Sequence, residues 1–361
     1  MAQKVFASGK KNILITGGAG FVGSHLSERL VEKNHVLCLD NFSTGLESNI
    51  DHLIQNPDFE FIKHDITQPV DLEKSREGQK FQVEVQGVQE IYHLACPTSP
   101  KEYNKYPIET ILANSYGVKN GLDLAIKYKA KFLFASSDAV YGEPQPNQEE
   151  FKEDYFGYID FLGPRSCYDE GKRFGETMVV NYRNKYGLET KIARVGNAFG
   201  PRMRLDDGRV VPDMVKNALD GKPVVIYGDQ NTTTTFLYVK DLIDAIVKLM
   251  ASGEMGPMNL SSMEKYRLED IANKIIEITG SKSKIAFEPP AAYTHIEGVP
   301  DNSLAKEKLA WFPLVKLEDG LEETIEQMKA SKVLKPLTPL DAMNEETRPS
   351  TTSTSSGSNE N

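Results

Sequence analysis

Two residues that can do acid–base chemistry stand four positions apart: Tyr168 and Lys172, in the segment CYDEGKRFGETM. The segment has helical character, and residues at i and i+4 lie on one face of a helix about one turn apart. An ammonium beside a phenol favours the phenolate. The pair can therefore act as a general base on a substrate hydroxyl, whereas alone it would be an ordinary surface pair.

A serine at the end of a strand-like run adds a third candidate. Ser137 closes the segment KFLFASS, where its hydroxyl can hydrogen-bond the same substrate oxygen as Tyr168. A serine that only ends a strand is the alternative interpretation. Because Ser137, Tyr168 and Lys172 occur together, we predict that they form one catalytic group that acts on a substrate hydroxyl.

A glycine cluster predicts a dinucleotide site. Gly17, Gly20 and Gly23 stand between the apolar run NILIT and the helix-like SHLSERLVEKN. Without side chains, the turn can tighten, the backbone can approach a pyrophosphate, and the helix can direct its amino terminus at the anion. A glycine-rich turn that binds no ligand is the alternative, but the strand before and the helix after it favour the cofactor site.

The choice of dinucleotide depends on an acidic residue. Asp40 ends the second strand-like run, VLCLD, 23 residues after Gly17. A carboxylate there can bond the adenosine ribose hydroxyls and would repel a 2′-phosphate, so NAD is predicted over NADP. Asp65, after the next strand, either meets the adenine or is a solvated residue at a strand end.

The elements that position these residues alternate. The strand-like runs FEFIKHD, EIYHLA, KFLFASS and TKIARV are separated by helix-like stretches such as ETILANSYGVKNGLDLAIKY. This alternation is typical of βαβ units and of a parallel sheet covered on both faces. We therefore predict an α/β fold, a Rossmann-type doubly wound parallel sheet with a smaller C-terminal α/β substrate lobe over its carboxyl edge.

The same pattern predicts the division of the chain. Residues 1–10 are an N-terminal extension, and residues 11–196 form the NAD-binding Rossmann domain, which part of 236–262 is expected to join. Residues 197–336 form the substrate-binding lobe. Residues 337–361 are rich in Ser, Thr, Asn and Glu, so we predict a disordered tail.

Composition restricts the partners and the compartment. A net charge of −10 without a basic stripe argues against nucleic acid. No segment approaches the roughly 18 uninterrupted apolar residues of a membrane span. Cys38, Cys96 and Cys167 have no metal-site spacing and are too few for a disulfide framework, so we expect a cytoplasmic protein without a metal.

Six segments carry a family resemblance: TGGAGFVGSHL, DNFSTG, IYHLACPTSPKEY, GPRSCYDEGKRFGE, FGPRMRLDDGRVV and LEDGLEETI. Across residues 11–330 the chain resembles the UDP-glucuronate decarboxylases (UDP-xylose synthases) of the extended short-chain dehydrogenase/reductase (NAD-dependent epimerase/dehydratase) superfamily. The resemblance implies conversion of UDP-glucuronate to UDP-xylose through a 4-keto intermediate, with recycled NAD. It also implies a homodimer formed by helices around 108–127 and 169–186.

The resemblance further implies two sets of contacts. The cofactor contacts are Gly17, Gly20, Phe21, Val22, Gly23, Asp40, Asn41, Phe42, Thr44, Gly45, Asp65, Ile66, Leu94, Cys96, Tyr168 and Lys172. The contacts to the nucleotide sugar, which we expect to be a UDP-sugar, are Tyr103, Asn197, Arg209 and Tyr227. Roles in the core or in anchoring loops stay open for both of these tyrosines.

The chain departs from the family pattern at four positions. Ala139 stands where the family has a glutamate, Thr234 and Gly298 stand where it has arginines, and Leu112 stands where it has a lysine. Each lost charge-assisted contact would weaken binding of the family substrate by roughly 1.5–3 kcal/mol unless another group replaces it. The candidate replacements are Arg202, Arg204 and Arg209.

These departures keep other activities open. A 4-epimerase needs only removal and return of a hydride, for which Ser137, Tyr168 and Lys172 suffice. A 4,6-dehydratase would use an aspartate and a glutamate after the serine, and the chain has only the first of these, Asp138. A non-catalytic NAD-binding homologue is a third possibility, against which retention of the three catalytic residues speaks.

Overall fold

The computed structural model describes residues 9–146, 148, 150–289 and 298–334. The predicted tail, 337–361, lies outside the described residues, as does all of the predicted N-terminal extension except residues 9 and 10. Within the described part of the chain, no helix combines the length and the apolar character needed to cross a bilayer.

The described residues form fifteen strands. In chain order these are β1 Asn12–Thr16, β2 His35–Asp40, β3 Phe59–Lys63, β4 Glu90–His93, β5 Lys131–Ser137, β6 Glu150–Phe151, β7 Thr190–Val195, β8 Ala198–Phe199, β9 Val224–Tyr227, β10 Thr233–Thr235, β11 Leu237–Tyr238, β12 Met258–Leu260, β13 Lys265–Arg267, β14 Ile285–Glu288 and β15 Val299–Pro300.

They also form twelve α-helices. These are α1 Phe21–Val31, α2 Arg76–Lys80, α3 Val83–Gln86, α4 Pro100–Lys105, α5 Pro107–Leu112, α6 Val118–Tyr128, α7 Ser166–Tyr186, α8 Val210–Leu219, α9 Val239–Ala251, α10 Leu268–Thr279, α11 Ser303–Leu309 and α12 Leu317–Leu334. A π-helical turn, Ala113–Gly117, joins α5 to α6, and a 3₁₀ turn, Asp138–Tyr141, follows β5.

Seven strands form one parallel sheet in the order β12-β7-β5-β4-β1-β2-β3. The order reverses between β1 and β4, so the crevice of this doubly wound sheet opens at the carboxyl ends of those two strands. This confirms the predicted Rossmann-type fold. The seventh strand, β12, comes from within residues 236–262.

The sheet is buried on both faces because its strands are apolar on both sides. In β1, Ile13 and Ile15 belong to the core cluster that also contains Ile246 of α9, whereas Leu14 belongs to the cluster that contains Leu122 of α6. This alternation follows from the two-residue repeat of a strand. A rigid sheet therefore fixes the strand ends that carry the candidate site.

The later part of the chain forms short two-stranded pairs beside α8, α10 and α12. Strand β9 pairs with β14 in parallel, and β10 pairs with β13 in antiparallel register. Strand β15 pairs with β6 from the first half of the chain, with Pro300 opposite Phe151. These pairs place the segments around Thr234 and Gly298 at the rim of the cleft described below.

Candidate active site

A cleft of about 1910 Å³ runs along the carboxyl ends of the sheet strands. It is lined by the glycine turn after β1, by the ends of β2, β4 and β5, by α7, and by the loops around α8 and β10. Of the residues predicted to bind cofactor or substrate, all but Phe42 and Gly45 line it. No group of three or more His, Cys, Asp or Glu side chains among the described residues could hold a metal ion.

The glycine turn is packed too tightly to carry side chains. A β-carbon at Gly17 would lie 2.8 Å from the Ala95 Cα, and Gly17 has φ +73°. A β-carbon at Gly23 would lie 2.1 Å from the Gly17 carbonyl oxygen. Helix α1 begins after Gly20 without a side-chain cap and without an acidic residue in its first turn. Its first backbone N–H groups can therefore receive a pyrophosphate, so the residues fit NAD.

Asp40 is held rigidly at the end of β2. Its Oδ2 accepts a hydrogen bond from the Ala19 N–H at 3.0 Å, and its Oδ1 accepts one from the Phe42 N–H at 2.8 Å. Burial raises the pKa of Asp40, while these backbone hydrogen bonds lower it in part. The carboxylate is thereby oriented beside the glycine turn, where an adenosine ribose would lie.

Phe42 and Gly45 support this arrangement from behind. The Phe42 ring stacks on Phe61 at 4.8 Å between centroids and does not line the cleft. A β-carbon at Gly45 would lie 3.0 Å from Asp40 Oδ1 and 3.1 Å from the Ala19 carbonyl carbon. We infer that Phe42 and Gly45 hold the loop around Asp40 in place, since neither residue lines the cleft.

Helix α7 places Tyr168 and Lys172 on one face, beside the end of β5. The Lys172 Nζ lies 5.7 Å from the centroid of the Tyr168 ring and donates a hydrogen bond to the Ala135 carbonyl at 2.8 Å. Ser137, the last residue of β5, lies near enough for its hydroxyl to lower the pKa of the Tyr168 phenol. The three predicted catalytic side chains therefore meet in one place, close to the turn that fits NAD.

Burial acts on both titratable members of this group. It raises the pKa of Tyr168 well above the usual phenol value, which the Ser137 hydrogen bond and the Arg209 charge only partly offset. Burial also lowers the pKa of Lys172. Ionisation of Tyr168 is therefore unfavourable in this pocket unless a nearby positive group compensates the charge.

The predicted substrate contacts come from several segments that line the cleft. Tyr103 is 1% exposed, and its ring stacks on Tyr168 with centroids 5.2 Å apart. The Asn197 side-chain amide donates to Thr234 Oγ1 at 2.9 Å. Arg209 donates to Thr98 Oγ1. All of these residues face the same cleft.

The other candidate replacement arginines already face carboxylates. Arg204 forms ion pairs with Asp206 at 3.0 Å and with Glu102 at 3.3 Å, and Arg202 pairs with Glu28 at 2.6 Å. Each would have to share its charge with a substrate phosphate. Sequence reasoning missed the pairs with Glu102 and Glu28 because they join distant segments, whereas Asp206 stands only two residues after Arg204.

Behind the site, a buried network fixes the end of β5. Ser136 Oγ donates to Glu176 Oε1 at 2.6 Å, and Arg194 donates to both oxygens of Glu176 at 2.9 and 2.7 Å. The network ties β5 and β7 to α7, one turn after Lys172. Sequence analysis did not single out Glu176, although its position four residues after Lys172 on the same helix offered a signal.

The chain matches the model of a known family and several named proteins. The model of the NAD dependent epimerase/dehydratase family matches residues 13–260. The chain is 41% identical over 318 residues to UDP-glucuronic acid decarboxylase 1 of Arabidopsis thaliana, covering 88% of this chain and 69% of that protein. It is 42% identical over 318 residues to UDP-glucuronic acid decarboxylase 1 of Danio rerio, covering 88% of this chain and 72% of that protein.

Similar solved structures include two epimerases. One is the UDP-glucose 4-epimerase of Thermotoga maritima with UDP-glucose, with a TM-score of 0.78, 28% identity and coverage of 89% of this chain and 99% of that chain. The other is the UDP-glucuronic acid 4-epimerase of Bacillus cereus in complex with UDP-glucuronic acid and NAD, with a TM-score of 0.77, 28% identity and the same two coverages, 89% and 99%.

Proposed function

Because the chain belongs to the NAD-dependent epimerase/dehydratase family, we propose that it is a lyase that decarboxylates UDP-glucuronate to UDP-xylose. The observation that carries the proposal is the meeting of Ser137, Tyr168 and Lys172 beside a glycine turn that fits NAD. The similarity to two UDP-glucuronic acid decarboxylases, which are 41% and 42% identical over 88% of this chain, supports the same reaction.

The cofactor, when bound, supplies the acceptor for a hydride from C4 of the sugar and later returns that hydride. Tyr168 takes the proton of the C4 hydroxyl, with Ser137 beside its oxygen. Lys172, anchored on the Ala135 carbonyl, holds a positive charge on the same helix face and favours charge on the phenol oxygen.

Decarboxylation then follows from the position of the new ketone. The C4 carbonyl is β to the C6 carboxylate, so carbon dioxide can leave while the electron pair delocalises into the C4 oxygen. Tyr168, now protonated, holds that oxygen by a hydrogen bond and stabilises its developing charge. Protonation of C5 and reduction of C4 give the pentose product.

A 4-epimerase is the second candidate, and Ala139 favours it. Ala139 is 5% exposed and packs with Tyr103 and Tyr168, so the wall of the cleft beside the catalytic tyrosine carries a methyl group where the decarboxylase pattern has a carboxylate. Both solved epimerases described above share the fold over 89% of this chain. The 4-keto intermediate is common to both reactions.

The deciding experiment is incubation of the NAD-loaded protein with a panel of nucleotide sugars, followed by mass spectrometry. Loss of carbon dioxide from UDP-glucuronate supports the proposal. An isomer of unchanged mass indicates the epimerase, and loss of water indicates a dehydratase. Recovery of every sugar unchanged overturns all three.

We also propose a homodimer formed through α5, α6 and α7. Helix α5 packs beside α7, and large apolar side chains are exposed on α5, on the π-helical turn after it and on α7: Ile108 at 61%, Tyr116 at 59% and Phe174 at 51%. A second copy of the chain would bury these side chains. All three cysteines are free, which suits the cytoplasmic location that we propose.

A further inference from the structure

The buried guanidinium of Arg194 links β7 to three other parts of the fold. Its Nε and Nη2 donate to the two oxygens of Glu176 on α7, at 2.9 and 2.7 Å. Its Nη1 donates to the Tyr141 hydroxyl at 2.9 Å and to the Glu153 carbonyl, just after β6, at 3.0 Å. Arg194, Glu176 and Tyr141 all lie behind the cleft and do not line it.

The Tyr141 hydroxyl extends this connection to the other side of the sheet edge. It accepts from Arg194 and donates its single proton to Asn259 Oδ1 on β12, at 2.6 Å. The Asn259 Nδ2 in turn donates to the Phe151 carbonyl at 3.0 Å and to the Asp301 carbonyl at 2.9 Å. A continuous line of hydrogen bonds therefore runs from α7 to the paired strands β6 and β15.

Both ends of this line reach the cleft. At one end, Ser136 donates to Glu176, and the next residue is the catalytic Ser137. At the other end, Phe151 lines the cleft. In the middle, Tyr141 closes the 3₁₀ turn that follows Ser137, and its ring stacks on Phe151 with centroids 5.0 Å apart. The catalytic residues and the cleft wall at Phe151 are thus held together from behind.

The Arg194–Glu176 pair is better suited to fixing geometry than to adding stability. The two side chains are only 9% and 13% exposed. Loss of hydration offsets much of the attraction in a buried ion pair, and apolar replacements are often as stable. A planar guanidinium, by contrast, presents its N–H groups in fixed directions. Arg194 can therefore set the positions of Glu176, Tyr141 and Glu153 relative to one another.

We propose that Arg194, acting through Tyr141, is a positioning residue that sets the cleft wall at Phe151 relative to Ser137 and Tyr168. The walls of the cleft orient a sugar that presents its C4 hydroxyl to Tyr168, so a displaced wall moves C4 away from the catalytic group. A misplacement of about 1 Å can slow a reaction by about 100-fold. The inference rests on the C4 oxidation of the proposed function.

Tyr141→Phe tests this role because it removes one oxygen from the middle of the line and keeps the ring that stacks on Phe151. The measurement is reduction of bound NAD in single turnovers of the holoenzyme, with UDP-glucuronate and with the rest of the sugar panel. We expect the maximal rate of C4 oxidation to fall by about 10- to 100-fold. The half-saturating sugar concentration and the affinity for NAD should stay unchanged.

Tyr238→Phe is the matched control. Tyr238 is 3% exposed, its hydroxyl donates to Glu323 Oε2 at 2.6 Å, and it does not line the cleft. The same oxygen is therefore removed from a buried hydrogen bond of the same length, outside the line through Arg194. This variant should oxidise C4 at the wild-type rate when the two variants are compared at equal folded fraction, measured by urea denaturation.

A double-mutant cycle tests whether Arg194 and Tyr141 act as one unit. Arg194→Lys keeps a positive charge beside Glu176 but lacks the fixed fork of N–H groups. If Arg194 acts through Tyr141, the double variant Arg194→Lys/Tyr141→Phe should be no slower than the slower single variant. Rate losses that multiply would mean that the two residues act independently, which overturns the proposal.

Hydrogen exchange of the holoenzyme follows the connection without a sugar. The Gly142 N–H donates to the Ala139 carbonyl at 3.1 Å, and the Asp301 N–H donates to the Phe151 carbonyl at 2.8 Å. Both amides should exchange faster in Tyr141→Phe than in wild type, because local opening becomes easier at both ends of the broken line. Neither amide should change in Tyr238→Phe.

The outcomes separate the positioning role from the reaction. Tyr141→Phe that oxidises C4 as fast as Tyr238→Phe overturns the positioning role, as does a rate loss without faster exchange at Gly142 and Asp301. Reduction of NAD by a sugar that then loses no carbon dioxide overturns only the decarboxylase assignment. If no sugar of the panel reduces the cofactor, both fall together.

Discussion

Phe151 occupies the space into which a side chain at Gly298 would have to project. A β-carbon at Gly298 would lie 2.3 Å from Cε2 of the Phe151 ring and 2.6 Å from Cζ. The two residues are held there by the pairing of β6 with β15. The arginine that the decarboxylase pattern has at this position therefore has no room in this chain as it is packed.

We accordingly expect Gly298→Arg to destabilise the protein by about 1–3 kcal/mol, the usual cost of overpacking, and Gly298→Ala to do so to a smaller extent. Urea denaturation measures both. Gly253→Ala is the matched control, because a β-carbon there meets nothing within 4 Å. The double variant Phe151→Ala/Gly298→Arg should lose less stability than the sum of its two single changes, and strict additivity would contradict the packing explanation.

Local patterns in the sequence were sufficient for much of this architecture. The alternation of apolar runs with helix-like stretches predicted the doubly wound sheet, and the glycine turn, Asp40 and the Tyr168–Lys172 spacing each depend on residues close together in the chain. Strand ends in a parallel sheet share one edge, so even Ser137 could be placed near Tyr168.

Side-chain pairs between distant segments could not be predicted in the same way. Gly298 and Phe151, or Arg204 and Glu102, meet only because of how loops pack on the finished sheet. No periodicity or motif records such a contact. The contact of Asp138 with Ser137 could be expected because they are adjacent, but the hydrogen bond from the Ala139 N–H to Ser137 Oγ depends on the 3₁₀ turn that follows β5.

The carboxylate of Asp40 should determine the cofactor preference. Asp40→Ala removes a charge-assisted contact of roughly 1.5–3 kcal/mol to the ribose hydroxyls and the repulsion of a 2′-phosphate, so the ratio of NAD to NADP affinity should fall by about tenfold or more. Calorimetric titration with both dinucleotides measures this ratio, with Asp51→Ala at an exposed carboxylate as the control. Wild-type protein that binds NADP more tightly than NAD would falsify the assignment.

Three substitutions in the catalytic group should have graded effects. Tyr168→Phe keeps the ring that stacks on Tyr103 but removes the proton acceptor, so turnover should fall by about 100-fold or more while NAD still binds. Lys172→Met should reduce both turnover and NAD affinity. Ser137→Ala should reduce turnover by less than Tyr168→Phe does. Near-wild-type turnover by Tyr168→Phe on the substrate found with the panel would mean that the mechanism is wrong.

The exposed apolar side chains on α5 and α7 should be buried in solution by a second copy of the chain. Light scattering at micromolar concentration should give the mass of a dimer, and the double change Ile108→Asp/Phe174→Asp should shift it to that of a monomer, because two buried charges per subunit oppose association. Val85→Asp, at an apolar residue that is 77% exposed on α3, is the control. A wild-type monomer would exclude this interface.

The two candidate reactions can be separated by restoring the missing charges. Ala139→Glu would bring a carboxylate to the cluster formed by Tyr103 and Tyr168, and Thr234→Arg would replace the hydroxyl that now accepts from Asn197 with a guanidinium facing the cleft. In a decarboxylase that has drifted from its relatives, the two changes together should speed loss of carbon dioxide from UDP-glucuronate by about tenfold or more, the effect of one well-placed charged contact.

The matched control is Ala139→Gln/Thr234→Arg, which has the same volume without the carboxylate, and thermal denaturation of both variants reports the cost of burying the larger side chain. We expect the Glu variant to be faster than the Gln variant at equal folded fraction. In an enzyme whose cleft has been reshaped for another sugar, neither double variant should release carbon dioxide from UDP-glucuronate faster than wild type. In that case Ala139 and Thr234 are adaptations to a different substrate, and isomer formation in the panel should identify that sugar.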